Sequence, residues 1–216
     1  GHRQDIAIQG AGRTDTGVHA LGQVAHCDLP DGFTERQLPL ALNAHLPPSI
    51  RVIQANIMAD DAHARFDATM RRYRYRILNR RIPSPLLSGR VWHLGQNLNV
   101  AAMHDAAQLL VGKHDFTSFR ATHCQASSPI RTIDQINITE HNDEVHIAVS
   151  ARSFLHHQVR NITGSLVLIG QGKWTNADLA NALEQRQRSA AGQTAPAEGL
   201  YLTEVIYPYL TPASTG

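Results

Sequence analysis

Polar and apolar positions alternate most regularly over Met70–Leu78, MRRYRYRIL. A period of two predicts a strand with Arg72, Arg74 and Arg76 on one face and Tyr73, Tyr75 and Ile77 on the other. Shorter apolar runs predict strands over Asp5–Gln9, Arg51–Met58 and Leu202–Tyr207. Ile133–Thr139 and Val145–Val149 predict an antiparallel pair turned at His141–Asn142–Asp143. Helical spacing predicts helices over Asn99–Val111, over His156–Gly170 with Gly170 and Gly172 closing it, and from Asn176 to near Gln185. Thr34 with Gln37 reads as a capping box opening a helix through His45, which Pro47 and Pro48 end. Arg186–Ala197 reads as a loop and Pro208–Gly216 as a frayed tail. Strands and helices are mixed, and hairpin-like pairs outnumber parallel crossovers. The fold class predicted is α+β rather than a doubly wound sheet. No repeat of fixed period is present.

Composition narrows the class. The 216 residues suffice for one large domain or two small ones. With 42% hydrophobic and 18% charged residues, the chain is neither disordered nor fibrous. No apolar run reaches the roughly 18 residues of a membrane helix, and no secretion signal is visible. The expectation is a cytoplasmic chain with no membrane partner. Cys27 and Cys124 are far apart and read as buried thiols in a reducing compartment. A net charge of +2 predicts no partner by itself. Yet every basic residue except Lys113 and Lys173 is Arg. Arg suits phosphates and bases, although a GC-rich genome gives the same bias. From Arg65 to Arg81 arginine stands at 65, 71, 72, 74, 76, 80 and 81 against one acid, Asp67, with tyrosines between. That pattern points to nucleic acid.

The chemistry concentrates in GAGRTDTGVHA, Gly10–Ala20. A dinucleotide loop would need glycine where Asp15 stands, and a carboxylate there would face a pyrophosphate. A P-loop would need Lys and Ser/Thr where Val18 and His19 follow Gly17. Two readings remain. The glycines turn the chain sharply to present Asp15 for chemistry, or Asp15 bonds its own backbone in an Asx-turn.

GRTDTGVHA with LGQVAH, then ARFDATMRRYRYRI, HDFTSFRA, FLHHQVRNITGSL and AEGLYLTEVIYP follow in this order. Together they resemble the tRNA pseudouridine synthase A family over nearly the whole chain. The resemblance implies the pseudouridine synthase fold: two α+β halves sharing a mixed or antiparallel sheet with a central RNA-binding cleft. The halves would be 1–95, with GRTD and RRYRYRI, and 96–216, with FLHHQVRN and AEGLYL. It implies breakage of the ribose C1′ to uracil N1 bond, rotation of the base, and rejoining through C5. Asp15 would be the catalytic carboxylate, attacking C1′ or C6 or removing a sugar proton. Arg160 would pair with it and keep it ionised. Tyr73 would stack on the uracil or take the C5 proton; core packing is the competing role. Leu200 would line the uracil pocket, or belong to the core. Arg13 would hold or replace the flipped nucleotide, or be tied into the turn beside Asp15. Arg72 and Arg74 would meet RNA through phosphate and shape. His19 and Phe66 fall in matching stretches without an assigned role.

The substrate implied is the anticodon arm of tRNA, at uridines 38 to 40, bound by a homodimer with one tRNA bridging both subunits. No cofactor is implied. Nor is a metal expected: no H-x-x-x-H or CxxC occurs, and adjacent His156 and His157 on a helix would point about 100° apart. The competing function is a non-catalytic tRNA-binding or tRNA-folding module. It would share the arginines but have no need of Asp15, Tyr73 and Arg160 together. The family pattern also opens with a strand and helix carrying a D-G-x-x-Y-x-G-W-Q-like motif. Nothing before Gly10 matches it. The expectation is that this segment lies outside the sequence, leaving Asp5–Gln9 an unpaired edge. These residues alone would then bind tRNA more weakly and aggregate more than an extended chain.

Overall fold

The computed structural model describes residues 5–30 and 32–210. Thirteen helices and strands follow in chain order: β1 Gln9–Gly10, β2 His19–Ala20, β3 Ala25–His26, α1 Gln37–His45, β4 Met70–Asn79, β5 Trp92–Leu94, α2 Val100–Ala107, β6 Gly112–Asp115, β7 Ile130–His141, β8 Glu144–Ala151, α3 Gln158–Gly170, α4 Asn176–Glu184 and β9 Leu200–Ile206. The class is α+β. One seven-stranded sheet runs β2-β9-β4-β8-β7-β6, with β5 added beside β4. The β2–β9 and β4–β5 pairs are parallel and the rest antiparallel.

The alternation over β4 survives folding. Tyr75 and Ile77 are fully buried under the helices, while Arg72 and Arg74 are exposed on the other face. Tyr75 and Ile77 join Val145, Ile147 and Val149 of β8 and Ile133, Ile136 and Ile138 of β7 beneath α2 and α3. Helix α3 is buried almost all round, polar residues included. Asn161 donates to the Phe119 carbonyl (2.8 Å) and Ser165 to the Asn161 carbonyl (3.0 Å). A central helix with satisfied polar groups is rigid and can carry functional side chains.

The predicted loop 186–197 contains a short 3-10 turn at Arg188–Ala190 and is strapped onto α3. Arg188 donates to Asn161 Oδ1 (3.0 Å) and Thr194 Oγ1 (2.9 Å), and the Gly192 N–H donates to Ser165 Oγ (2.9 Å). Gly164 lets the strap approach, because a Cβ there would run into the Gln193 carbonyl. Gly164→Ala should therefore push the strap off α3 and cost about 1–3 kcal/mol. A thermal melt checks this against Gly95→Ala, an exposed position where an added Cβ meets nothing closer than ordinary contact.

The structure corrects several of these expectations. Asp5–Gln9 shrinks to Gln9–Gly10, and it is not an unpaired edge: it pairs with β3 in a separate two-stranded sheet. Arg51–Met58 forms no strand. Its Val52 N–H and C=O are met by the Asn43 side-chain amide, each at 2.8 Å, in place of a neighbouring strand. Thr34 and Gln37 do bond, but α1 starts only at Gln37. Helix α3 starts at Gln158 rather than His156. Strands β2, β3, β5 and β6 have no counterpart in the sequence pattern; two to four residues are too few to show a period. In the tail, residues 211–216 lie outside the described residues. The stretch before β4 packs thinly: Ile8, Leu40, Ile53 and Ile57 are each more than 70% exposed.

Candidate active site

The GAGRTD turn is pinned at both ends. The Ala11 N–H donates to the Val24 carbonyl (2.8 Å), and Gln23 donates to the Gly12 carbonyl (2.9 Å). The Val18 N–H closes a tight turn on the Asp15 carbonyl (3.0 Å), with Gly17 at φ +85°. That positive φ is why glycine stands there. Asp15 makes no Asx-turn. Its carboxylate points away from its own backbone, across to the start of α3.

Three side chains meet it there, two of them, Arg160 and His156, through hydrogen bonds. Arg160 Nη1 lies 3.0 Å from Oδ2, His157 Nε2 3.0 Å from Oδ2, and His156 Nε2 2.8 Å from Oδ1. Arg160 is itself anchored, its Nε donating to the Ala195 carbonyl (2.8 Å) while the Ala195 N–H donates to the Arg160 carbonyl (3.1 Å). Partial burial pushes the Asp15 carboxyl upward, but the His156 bond, the nearby histidine charges and the Arg160 bond outweigh it. Asp15 therefore titrates below its ordinary 3.8 and is ionised at neutral pH. Burial, His156 and Arg160 push His157 down, so its ring is neutral at neutral pH.

Motif and charge logic thus brings Asp15 and Arg160 together but misses both histidines. On a helix their rings would diverge. In the structure they precede the helix, and His157 adopts a left-handed conformation (φ 63°, ψ 3°). The rings then lie 4.0 Å apart, both facing Asp15. The turn is locked by Leu155 N–H to Gln158 Oε1 (2.8 Å) and Ala121 N–H to the His156 carbonyl (2.8 Å). Asp15, His156 and His157 each offer one ligand atom within 4.8 Å of the others, so a cation could be held here. The mutual hydrogen bonds and Arg160 already account for the cluster.

Tyr73 lies on the same side of the sheet, edge-to-face with Phe154 at 5.2 Å between ring centres. Burial and Asp15 raise its hydroxyl pKa against the pull of Arg71. The group is an O–H, not a phenolate. Leu200 is 7% exposed and packs in the main core, across from Tyr75. Arg13 is exposed, and among the described residues it has no ion pair or side-chain hydrogen bond. It is not tied into the turn.

Arg72 and Arg74 face away from Asp15, on the other side of β4. Arg72 pairs with Glu204 (2.6 Å). Arg76 makes a two-pronged pair with Glu144 (2.8 and 2.7 Å), and Arg80 pairs with Asp143 (3.1 Å). Much of the arginine run is therefore neutralised within the fold. Arg71 departs furthest from the expected basic face. It lies on the Tyr73 side, 8% exposed, and donates to four carbonyls: Ala68 (3.4 Å), Ala11 (2.9 Å), Arg65 (2.6 Å) and Arg152 (2.6 Å). It ties the loop that presents Asp15 to the segment that leads into the histidines. Its position in the alternation is a readable signal, because an odd-numbered residue of β4 points into the core.

Comparison with known proteins gives the family. A family model described as tRNA pseudouridine synthase matches residues 106–208. A Rhodospirillum rubrum protein named tRNA pseudouridine synthase A is 54% identical over 97% of this chain and 76% of its own length. One of the same name from Rhodopseudomonas palustris is 54% identical over 94% of this chain and 83% of its own. A third, from Afipia carboxidovorans, is 55% identical over 94% of this chain and 83% of its own. Identity at that level across almost the entire chain means that this chain belongs to the tRNA pseudouridine synthase family.

Proposed function

We propose that this chain isomerises uridine to pseudouridine in tRNA, in the anticodon stem-loop, with Asp15 as its catalytic carboxylate. One observation carries the site assignment: a carboxylate kept ionised by Arg160 and two histidines at the lip of a rigid helix, with Arg13, free of ion pairs among the described residues, two positions away. An ionised, partly desolvated carboxylate can add to C1′ or C6, or remove a ribose proton. Arg160 holds it charged and oriented. Tyr73 offers a flat ring for the uracil and an O–H near the reacting base. The target uridine must leave its stack to reach Asp15, and exposed Arg13 is placed to occupy the vacated space or hold the backbone. The glycosidic bond moves from N1 to C5, the C5 hydrogen leaves as a proton, and the freed N1 takes a proton up. Atoms and charge then balance with no electron acceptor, so the isomerisation itself calls for no redox cofactor. The targets implied by the family motifs are uridines 38 to 40, and a homodimer is the assembly they imply.

An unmodified tRNA transcript incubated with the chain and digested to nucleosides should yield pseudouridine, with total mass unchanged and with EDTA present or absent. Binding without any pseudouridine would favour the non-catalytic module instead. Arg74, exposed and without an ion pair among the described residues, suits phosphate contact away from the reacting base. Arg74→Ala should weaken tRNA binding, lower the salt slope of log K by about 1 and leave kcat unchanged. Filter binding across a salt series measures it.

A further inference from the structure

Asp15 divides its two oxygens between different partners. Oδ2 receives Arg160 and His157, both at 3.0 Å; Oδ1 receives His156 alone at 2.8 Å. The side chain of His156 is 47% exposed and that of His157 27%. So Oδ2 is held from inside the protein, and Oδ1 is covered only by a ring that faces solvent.

His157 reaches Oδ2 with its backbone strained. A left-handed conformation costs energy for any residue with a Cβ, and His, like Asn and Asp, adopts it more readily than most. It is one of three such non-glycine residues among those described. The other two, Asn142 and Arg186, lie in a hairpin turn and beyond the end of α4. Neither touches Asp15. His157 instead sits at the entry to α3 without giving that helix a side-chain cap. Its ring does nothing for the helix and serves the carboxylate. Strain kept at a site and used on a functional group is a pattern of positioning residues.

We propose that His157 is a positioning residue for the reaction: with Arg160 it clamps Oδ2 and turns Oδ1 outward as the reactive oxygen, and His156 is a removable cover that yields Oδ1 to the incoming nucleotide. The groups that face the carboxylate are His156, His157 and Arg160 from the start of α3; Tyr73 approaches from β4, and Arg71 lies behind it. His157 touches Oδ2 at 3.0 Å as a neutral ring, so the contact adds direction without adding a second fixed charge beside Arg160. A carboxylate free to rotate would turn the wrong oxygen toward the base much of the time, and small errors of placement cost about 10²-fold in rate.

This inference rests on the isomerase reading, and the experiment separates the two. Single-turnover rate, tRNA affinity and melting temperature are measured for the parent, His157→Gly and His157→Gln. Gly removes the ring and the backbone strain together. It should melt within about 5 °C of the parent, bind tRNA equally and lose about 10²-fold in rate. Gln keeps the strain but offers an amide N–H toward Oδ2. It should melt lower than the Gly variant and yet react faster. Stability and rate would then rank the two variants in opposite order, which a merely structural histidine cannot produce. A Gly variant as fast as the parent, or variants whose rate falls in step with melting temperature, would overturn the proposal. A parent that forms no pseudouridine would overturn the isomerase reading itself.

Discussion

Asp15→Asn should abolish pseudouridine formation, by at least about 10⁴-fold, while tRNA binding stays at the parent level or tightens. The substitution changes shape very little. It removes the one negative charge that the site concentrates, and an amide oxygen is neither a nucleophile nor a base for this reaction. Oδ1 is bonded by His156 and Oδ2 by Arg160, so the new –NH₂ faces one of these N–H groups whichever oxygen it replaces. Arg160, only 14% exposed, loses its counter-charge. A destabilisation of about 1–2 kcal/mol follows from that unpaired cation, with the fold kept. The sign of the binding effect is diagnostic. Removing a carboxylate from an RNA-facing site relieves repulsion from phosphate, so affinity does not fall. Electrophoretic mobility shifts and a thermal melt on the same preparation separate lost chemistry from lost structure.

Arg71→Met should produce the largest stability loss of any single arginine replacement among the described residues. A methionine fills the channel but donates nothing, leaving the carbonyls of Ala11, Arg65, Ala68 and Arg152 without their guanidinium partner. Two or more buried acceptors left bare cost about 3 kcal/mol, or roughly 6–12 °C in melting temperature for a chain of this size. Activity should fall further than the melt explains, because Arg71 joins the Asp15 loop to the segment entering α3. Arg71→Lys, with three donors and no fork, should fall between the two. Exposed Arg72→Met, which breaks only a surface pair with Glu204, should lower stability by less than about 1 kcal/mol. If Arg71→Met and Arg72→Met melted alike, the strut role of Arg71 would be wrong.

The long, regular elements are legible in the sequence because one interaction dominates each of them. In β4, β7 and β8 one face is buried, so alternation declares the strand; in α3 and α4 apolar spacing and the closing residues declare the helix. Short strands are not legible, since two residues paired at a sheet edge are chosen by their neighbours and not by their own pattern. Arg51–Met58 looks like a strand and would need a partner, but the Asn43 amide takes that place. At the site, motif and charge logic names Asp15 and Arg160, and the fold brings them within 3.0 Å across 145 residues of chain. The two histidines are hidden by a difference of two residues in the start of α3. A helix would splay their rings; a left-handed His157 brings both to one carboxylate. The arginine run misleads in another way. Charge counted along the chain takes no account of which face each residue occupies, and folding sends Arg71 inward and pairs Arg72, Arg76 and Arg80 with acids.

The most direct test of the account is tritium release from tRNA carrying [5-³H]uridine, with the parent chain and with Asp15→Asn. Joining ribose to C5 must expel the hydrogen there. Release by the parent, absent with Asp15→Asn at matched tRNA occupancy, is the predicted result. Release that continued undiminished in the variant would contradict Asp15 as the catalytic group, and no release from a tRNA-saturated parent would contradict the isomerase itself.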